Sequence, residues 1–523
     1  MNLIDKVVAA IDPVAGMKRV QARKAMQLMN TGYSRYGAST RKAAMRSWEY
    51  HGGSEKEDIE DNLNILRQRS RDAYMGVPIA TGALKTMRTN TVGSGLVPTP
   101  QIDAELLGLD PTQAAELQAQ IMREFSIWAD STVCDAAKMD NFYGLQMLAF
   151  MSFLMNGDSF AVLPMEKTPG QPYDLRVQLI EADRVCSPNR MDVMNPATVQ
   201  GFAVQKIVQG VETDSRGAVT AYWITDRHPL AYTRPGVLHW QRVDAFGEKT
   251  GRRNVLHVIQ RERVGQKRGV PVLAPVLESL KQLGRYSEAE LDAAVIAACQ
   301  TFFVEHEGAG EDVPLGENVP ENERVTREDE DKIEIAPGAV FDLREGEKMT
   351  APVPARPNAN FNAFFDAQCM EIGAGIEMPV EVMFKKFSTS FSSARGALNE
   401  FWRTCGMMRD TFADSFCQPI YEEWFAEAVA KGRIRAPGFF GDPAIRKAYT
   451  NCSWNGPART NLNPVQEVDA AIKRVEAGFS TAEQEAAQMT GQSYAANMRQ
   501  RIAEAQQKKE VDKIGQSEER AEE

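Results

Sequence analysis

Carboxylates crowd one part of this 523-residue sequence: Glu311 and Asp312, then the run Glu328, Asp329, Glu330 and Asp331. A metal-dependent phosphodiesterase uses such groups to hold divalent ions, but it needs them to converge from rigid elements. Here they sit in a segment interrupted by Pro and Gly whose one histidine is His306. The other clustered histidines, His228, His239 and His257, fit no usual zinc spacing, and no Cys pair accompanies them. They read as strand or turn histidines with structural roles. Gly93-Ser94-Gly95 lacks the Gly-Lys-Ser/Thr of a phosphate loop and follows a helical pattern, so it reads as a turn. The residues therefore point to no catalytic or metal site. Two polar segments remain. One is Lys385, Lys386, Phe387, Ser388, Thr389, Ser390, whose hydroxyls compete for backbone hydrogen bonds and whose lysines can meet phosphates. The other is the acidic excursion itself, either a solvated loop or a knob whose charge contacts a partner.

The first polar segment lies between two helical patterns. Phe361, Phe364, Phe365, Ile372 and Ile376 recur at helix spacing, with Asn358 or Asn360 as a cap and Pro379 as the stop. After the exposed loop at 385–393, Ser392 or Ser393 caps a second helix striped by Leu398, Phe401, Cys405, Met408, Phe412 and Phe416. Pro419 should kink it, and Gly432 should close it after Tyr421, Trp424, Phe425 and Val429. About forty residues at about 1.5 Å each make a helix near 60 Å, long for one globular domain.

The rest of the chain sets the bounds. Its length suggests three or four units, and 43% hydrophobic residues suit a folded protein. A net charge of -11 argues against a protein that wraps nucleic acid with a basic face. Seven scattered cysteines form no disulfide framework and suit a reducing compartment. The longest apolar run, Phe142 to Leu154, is too short for a membrane span. Residues 21–54 are basic and aromatic, either a nucleic-acid arm or an arm that docks on a neighbouring acidic subunit. Helical patterns cover 60–95, broken at Gly76 and Pro78, then 111–130 and 141–155. From Ser159 to Gln260, short β-rich runs alternate with turn signals, a mostly antiparallel unit. Residues 271–299 return to helix, with Val276, Leu277, Leu280, Leu283, Leu291, Ala294, Val295 and Ala298 on one side. Strand character reappears at Lys332 to Ile335 and near Val340 to Leu343. Short helices occupy 464–505, and 506–523 has almost no apolar content, so it is expected to be disordered.

Four blocks, RPNANFNAFFDAQ, GAGIEMPVEVM, SFSSARGALNEFWR and FCQPIYEEWFAEAV, resemble lambda-family phage portal proteins. So do RSRDAYMGVPIATGALKTMRTNTVGSGL at Arg69 to Leu96 and RERVGQKRGVPVLAPVLESLKQLGRYSEAELDAA at Arg261 to Ala294, in collinear order. The resemblance implies an α+β portal-type fold with long stem and wing helices, a mostly antiparallel β unit and a helical C-terminal crown. It divides the chain into an N-terminal arm (1–60), a wing of helices then strands (61–270), a stem helix (271–299), a clip (300–355) and a second stem helix (356–380). A channel loop (381–393), the kinked wing helix with its following segment (394–459), the crown (460–505) and the tail (506–523) complete it.

The same resemblance implies a homo-oligomer, a ring of twelve at one vertex of a tailed-phage head, and no cofactor. Its partners would be terminase, head-completion or tail-connector proteins, capsid and scaffold proteins, and double-stranded DNA passing non-specifically. It would act in the virion at the portal vertex, and in host cytoplasm during assembly. Glu311, Asp312 and Glu328 to Asp331 would face the terminase, and Lys385 to Ser390 the channel. Portal relatives often carry an acidic or small polar residue near the latter, so the two lysines depart from the pattern. Another ring-forming head-tail connector is the alternative, disfavoured by chain length.

Overall fold

The computed structural model describes residues 52–188, 207–231, 238–298, 361–387, 390–458 and 464–522, short pieces within 12–21, residue 45, and strand pairs at 198–199 with 202–203 and 302–304 with 340–342. Residues 1–58 and 59–523 form two separate units. In the first, Asp12 accepts hydrogen bonds from the Val14 and Ala15 amides, and Glu55–Asp58 make one helical turn.

In the second unit, α1 (Leu63–Gly76) and α2 (Pro78–Thr91) form where the sequence places two helices, with Pro78 pre-set for a first turn. Strand β1 (Val97–Pro100) follows, then α3 (Pro111–Ala129), opened by an Asp110–Gln113 capping box, and α4 (Phe142–Asn156). The buried Gln146 of α4 is satisfied by the chain itself: its side chain accepts from the Leu96 amide at 2.6 Å and donates to the Leu96 carbonyl. Helix α4 ends at Gly157, with φ +85°, where a Cβ would lie 2.4 Å from the Gly269 carbonyl carbon.

The β unit divides into two antiparallel sheets. One has the order β8-β2-β3, from β2 (Asp158–Val162), β3 (Gln178–Ile180) and β8 (Val255–Ile259). The other runs in sequence order through β4 (Ile207–Val208), β5 (Val211–Thr213), β6 (Val219–Thr225) and β7 (Trp240–Asp244). Strand β7 escapes the sequence reading because its burial is weak throughout and it carries charges at Arg242 and Asp244. Alternation along β2 splits two cores: Ala161 packs with the helices, and Phe160 packs between the sheets with Val185, Tyr222 and Ile224.

Helix α5 (Leu277–Ala298), preceded by a 3₁₀ turn, pairs with α6 (Phe361–Gly375) through Tyr286, whose ring lies 5.5 Å from Phe361 and 4.9 Å from Phe364. Between them, β9 (Phe302–Val304) pairs in parallel with β10 (Val340–Asp342). The caps proposed at Asn358 or Asn360, the strand at 332–335 and the acidic candidates Glu311, Asp312, Glu328, Asp329, Glu330 and Asp331 lie outside the described residues.

Three expectations change here. A short helix α7 (Val380–Phe384) follows Pro379, and α8 (Phe391–Phe412) starts with Ser390, not Ser392 or Ser393, as its cap. The irregularity expected at Pro419 takes the form of a π turn at Ala413–Cys417, in which the Gln418 amide donates to the Ala413 carbonyl; it feeds α9 (Gln418–Ala430) with Pro419 in the first turn. The stripe otherwise lies as expected: Phe401, Cys405 and Phe412 of α8 and Phe416 of the π turn are buried in the main core, Phe412 edge-on to Phe150 and Phe416 stacked on Phe142.

Helix α10 (Pro443–Thr450) leads to β11 (Cys452–Asn455), which returns to pair antiparallel with β1. Then come α11 (Pro464–Glu476), α12 (Ala482–Thr490) and α13 (Tyr494–Glu522). The last corrects the expectation of a disordered tail at 506–523. Gln, Lys, Glu and Ala are good helix formers, so a segment without a core can still extend a helix already nucleated upstream.

Candidate functional site

The channel-loop candidates hang between α7 and α8. Lys385 sits at φ +55° in the left-handed region, and its amide donates to the Glu381 and Val382 carbonyls to close α7. The Lys386 amide donates to the Glu381 carbonyl at 3.1 Å. At the far side the Ser390 hydroxyl accepts from the Ser393 amide at 3.4 Å. Lys385, Lys386, Phe387 and Ser390 are exposed; Ser388 and Thr389 lie outside the described residues. With 48% of its surface exposed, Phe387 does not pin the loop into the core. The loop's footing is α7, whose Val382 and Met383 are buried among α2, α6 and α8.

Beside α7 opens a groove of about 610 Å³, lined by Met370, Met378 and Val380 with the carboxylates of Glu377, Glu381 and Glu400. Glu377, at φ +55°, is the left-handed residue that ends α6 and aims the Met378 amide at the Gly373 carbonyl, 2.8 Å away. Helix α7 is thus hinged between two non-glycine left-handed residues, Glu377 and Lys385.

The three histidines do not meet. His257 is largely shielded from solvent, stacked on Phe160 at 4.2 Å with Nε2 3.6 Å from Asp158, and that desolvation holds its pKa below the usual value despite the carboxylate. His239 donates its backbone amide to Asp226. His228 places Nε2 3.2 Å from Asp183 and accepts the Leu230 amide at Nδ1, so the ring proton sits on Nε2. Glu181, Asp183 and His228 form the one set with metal-ligand spacing among the described residues, yet the Arg71 guanidinium already bridges Glu181 and Asp183.

A buried charge cluster, unread in the sequence, ties the helices to the β unit. The Asp158 carboxylate accepts from Arg268 Nε at 2.6 Å, Arg67 Nη2 at 3.4 Å and the Gly269 amide at 3.2 Å. Arg268 also donates to the Val185, Gln209 and Ala182 carbonyls and lies over the Phe160 ring, and Arg67 donates to the Asn156 carbonyl. Burial alone would raise the Asp158 pKa, but Arg268 and Arg67 outweigh it and hold the carboxyl well below the carboxylate range. Burial, then Arg268, brings Arg67 down to about 10. The only signal in the sequence was an acid between Gly157 and an apolar strand.

This geometry holds a loop and fastens domains; it assembles no reaction centre among the described residues. Residues 41–409 match the family model described as phage portal protein, lambda family, which covers well over half of the chain. The chain belongs to the lambda family of phage portal proteins. Portal protein B of Escherichia phage lambda is 22% identical over 482 residues, 89% of this chain and 88% of that protein. The portal protein of Escherichia phage N15 is 21% identical over 483 residues, again 89% and 88%. Among solved structures, the virion of a native gene transfer agent particle aligns over 81% of this chain and 92% of that one, at 12% identity and a TM-score of 0.38. The neck of an empty particle of the same kind aligns over 85% and 97%, at 12% identity and a TM-score of 0.40. As a portal protein the chain is a structural component and not an enzyme.

Proposed function

We propose that copies of this portal protein close into a ring, of twelve subunits, at one vertex of a phage head, and that the genome enters and leaves through its central hole. The observation that carries this is the pairing of α5 with α6 through Tyr286, with α7 and the Lys385 to Ser390 loop following directly on α6. In this reading α5 and α6 are the stem, residues 300–355 the clip, the π-interrupted α8–α9 helix with the two sheets the wing, and the helices after 460 the crown. The particle sits in the virion and is built in host cytoplasm.

Charge supports the division of labour. Residues 300–355 hold fifteen acidic and five basic side chains, a net of -10 out of the chain's -11. A ring of twelve would carry about 130 negative charges, nearly all at the clip. The clip then suits a basic partner, terminase during packaging and a connector afterwards, whereas the rest of the ring is close to neutral. Near-neutral walls suit passage, because each fixed phosphate contact adds about 0.9 to the salt slope and contacts multiply round a ring. Lys385 and Lys386 would supply a few weak contacts from a loop that can move on α7. Native mass measurement and electron micrographs of the purified protein test the reading: rings of about twelve with a central hole are expected, and a monomer at every salt concentration would overturn it.

A further inference from the structure

Helix α11 carries an apolar line that the described residues of its own chain do not cover. Val468, Ile472 and Val475 fall at spacings of four and three, the seam of a helix that packs on another helix. Yet Val468 is exposed, Ile472 is 50% exposed, and Phe479, just past the left-handed Gly478, is 83% exposed. The contacts that α11 does make lie on other sides: Ala471 is buried, Glu467 reaches Arg395 of α8 at 3.8 Å, and Arg474 reaches Glu485 of α12 at 2.6 Å. Helix α13 is in the same condition. Tyr494, Met498 and Ile502 recur at four-residue spacing, Ile502 is 55% exposed, and every residue from Arg499 to Lys509 is exposed. A helix of that length gains most of its stability from a packed face. Both lines lie within the unbroken described stretch 464–509.

We infer that this face of α11 in one copy packs against the start of α13 in the next copy. The inference rests on the ring reading above. A ring closes through heterologous contacts, so each subunit must present two different patches that fit one another. These two differ in charge. The exposed acids Asp469 and Glu476 border the α11 line, whereas Arg499 and Arg501 stand beside the α13 line, and residues 494–509 hold four basic groups against one acid, Glu504. Charges along an apolar seam select its partner: α11 on α11 sets acid against acid, α13 on α13 sets base against base, and α11 on α13 joins opposite signs. The two patches also lie in one layer of the subunit. Glu485 holds Arg474 of α11, and Glu483 accepts the Ala495 amide of α13 at 3.1 Å; these acceptors are two residues apart on α12, about 3 Å along its axis. Rotation about a ring axis sets that layer of one copy beside the same layer of the next.

The test exchanges charge signs in the full chain at low salt. One variant carries Asp469→Lys with Glu476→Lys, a second Arg499→Glu with Arg501→Glu; all four side chains are exposed, so both should keep the wild-type circular dichroism. Each variant alone should need an at least about tenfold higher subunit concentration to form rings. Mixed in equal amounts, the two should form rings at the wild-type concentration, because every contact in an alternating ring then joins opposite signs. Rings unchanged in the separate variants would overturn the contact. A defect repaired by placing all four substitutions in one chain, but not by mixing, would overturn it too and mean that the chain covers its own face. A defect that neither arrangement repairs would give the face to a partner other than a second copy. A wild-type protein that forms no ring sinks the ring reading itself, and the two failures are therefore distinct.

Discussion

Arg268 Nε lies 2.6 Å from the Asp158 carboxylate, and neither side chain reaches solvent. Around this pair converge α1 through Arg67, the end of α4 through Asn156, β2, and the turn at Gln209, so one buried acid holds the helical part of the protein to both sheets. The cluster gains its stability from mutual compensation: both guanidinium groups face Asp158, Arg67 also lies 4.0 Å from Asp183, and carbonyls take the remaining hydrogen bonds.

Removing the acid leaves buried Arg268 without a carboxylate and Arg67 with only Asp183, 4.0 Å away. Asp158→Asn should destabilise the chain by about 3–5 kcal/mol, read as a lower midpoint in denaturant unfolding. Replacing the exposed Asp292 in the same way should change little.

Acid should loosen the same junction. Burial lowers the His257 pKa in the folded chain relative to the unfolded one, so its neutral form contributes stability that is complete above about pH 6.5 and is lost as pH falls below that value. The depressed Asp158 carboxyl acts later, losing its contribution only as pH falls below about 4. Unfolding at pH 5.5 and pH 7.5 should show weaker folding at the lower pH, and His257→Gln should shrink that difference. An unchanged difference would place the proton uptake elsewhere.

At the loop, Lys385→Ala with Lys386→Ala should leave rings intact and make their association with DNA less salt-dependent, by about 0.9 in the logarithmic slope for each phosphate contact removed. Packaging or retention of the genome should change as well. A double variant with wild-type salt slope, packaging and retention would make both lysines ordinary solvated charges.

Position 385 also separates backbone from charge. Because Lys385 closes α7 at φ +55°, Lys385→Gly should fold at least as well as the wild type, whereas Lys385→Val should lower thermal stability by about 1 kcal/mol or more.

Charge reversal at the acidic excursion should act on partners and not on folding. Glu328→Lys with Glu330→Lys is expected to weaken terminase docking in a pull-down while leaving rings intact; a folded chain that fails to form rings would assign the segment to assembly instead.

The long helices were legible in the sequence because their information is local: Pro78, Pro111 and Gly432 mark ends, and Phe401, Cys405, Phe412 and Phe416 mark a face whose period needs no knowledge of its partner. The loop expected at 385–393 was legible in part, as a break in that period: Lys385 to Phe387 and Ser390 stand exposed between α7 and α8, while 391–393 joined α8. Where local signals conflicted the reading slipped by a turn or so: Phe391 entered α8, Val380–Phe384 wound into α7 on the buried anchors Val382 and Met383, and the irregularity expected at Pro419 fell in the π turn at Ala413–Cys417. What only the tertiary structure decided were relationships between distant positions. Asp158, Arg268 and Arg67 look like ordinary charges in sequence and become one buried cluster because β2, the segment before α5, and α1 are brought together. Likewise, the stripe on α5 shows one period from Leu280 to Val295, but only the packed chain reveals that its own core covers the first half and leaves Leu291 and Val295 open, because burial depends on which neighbour arrives and periodicity does not.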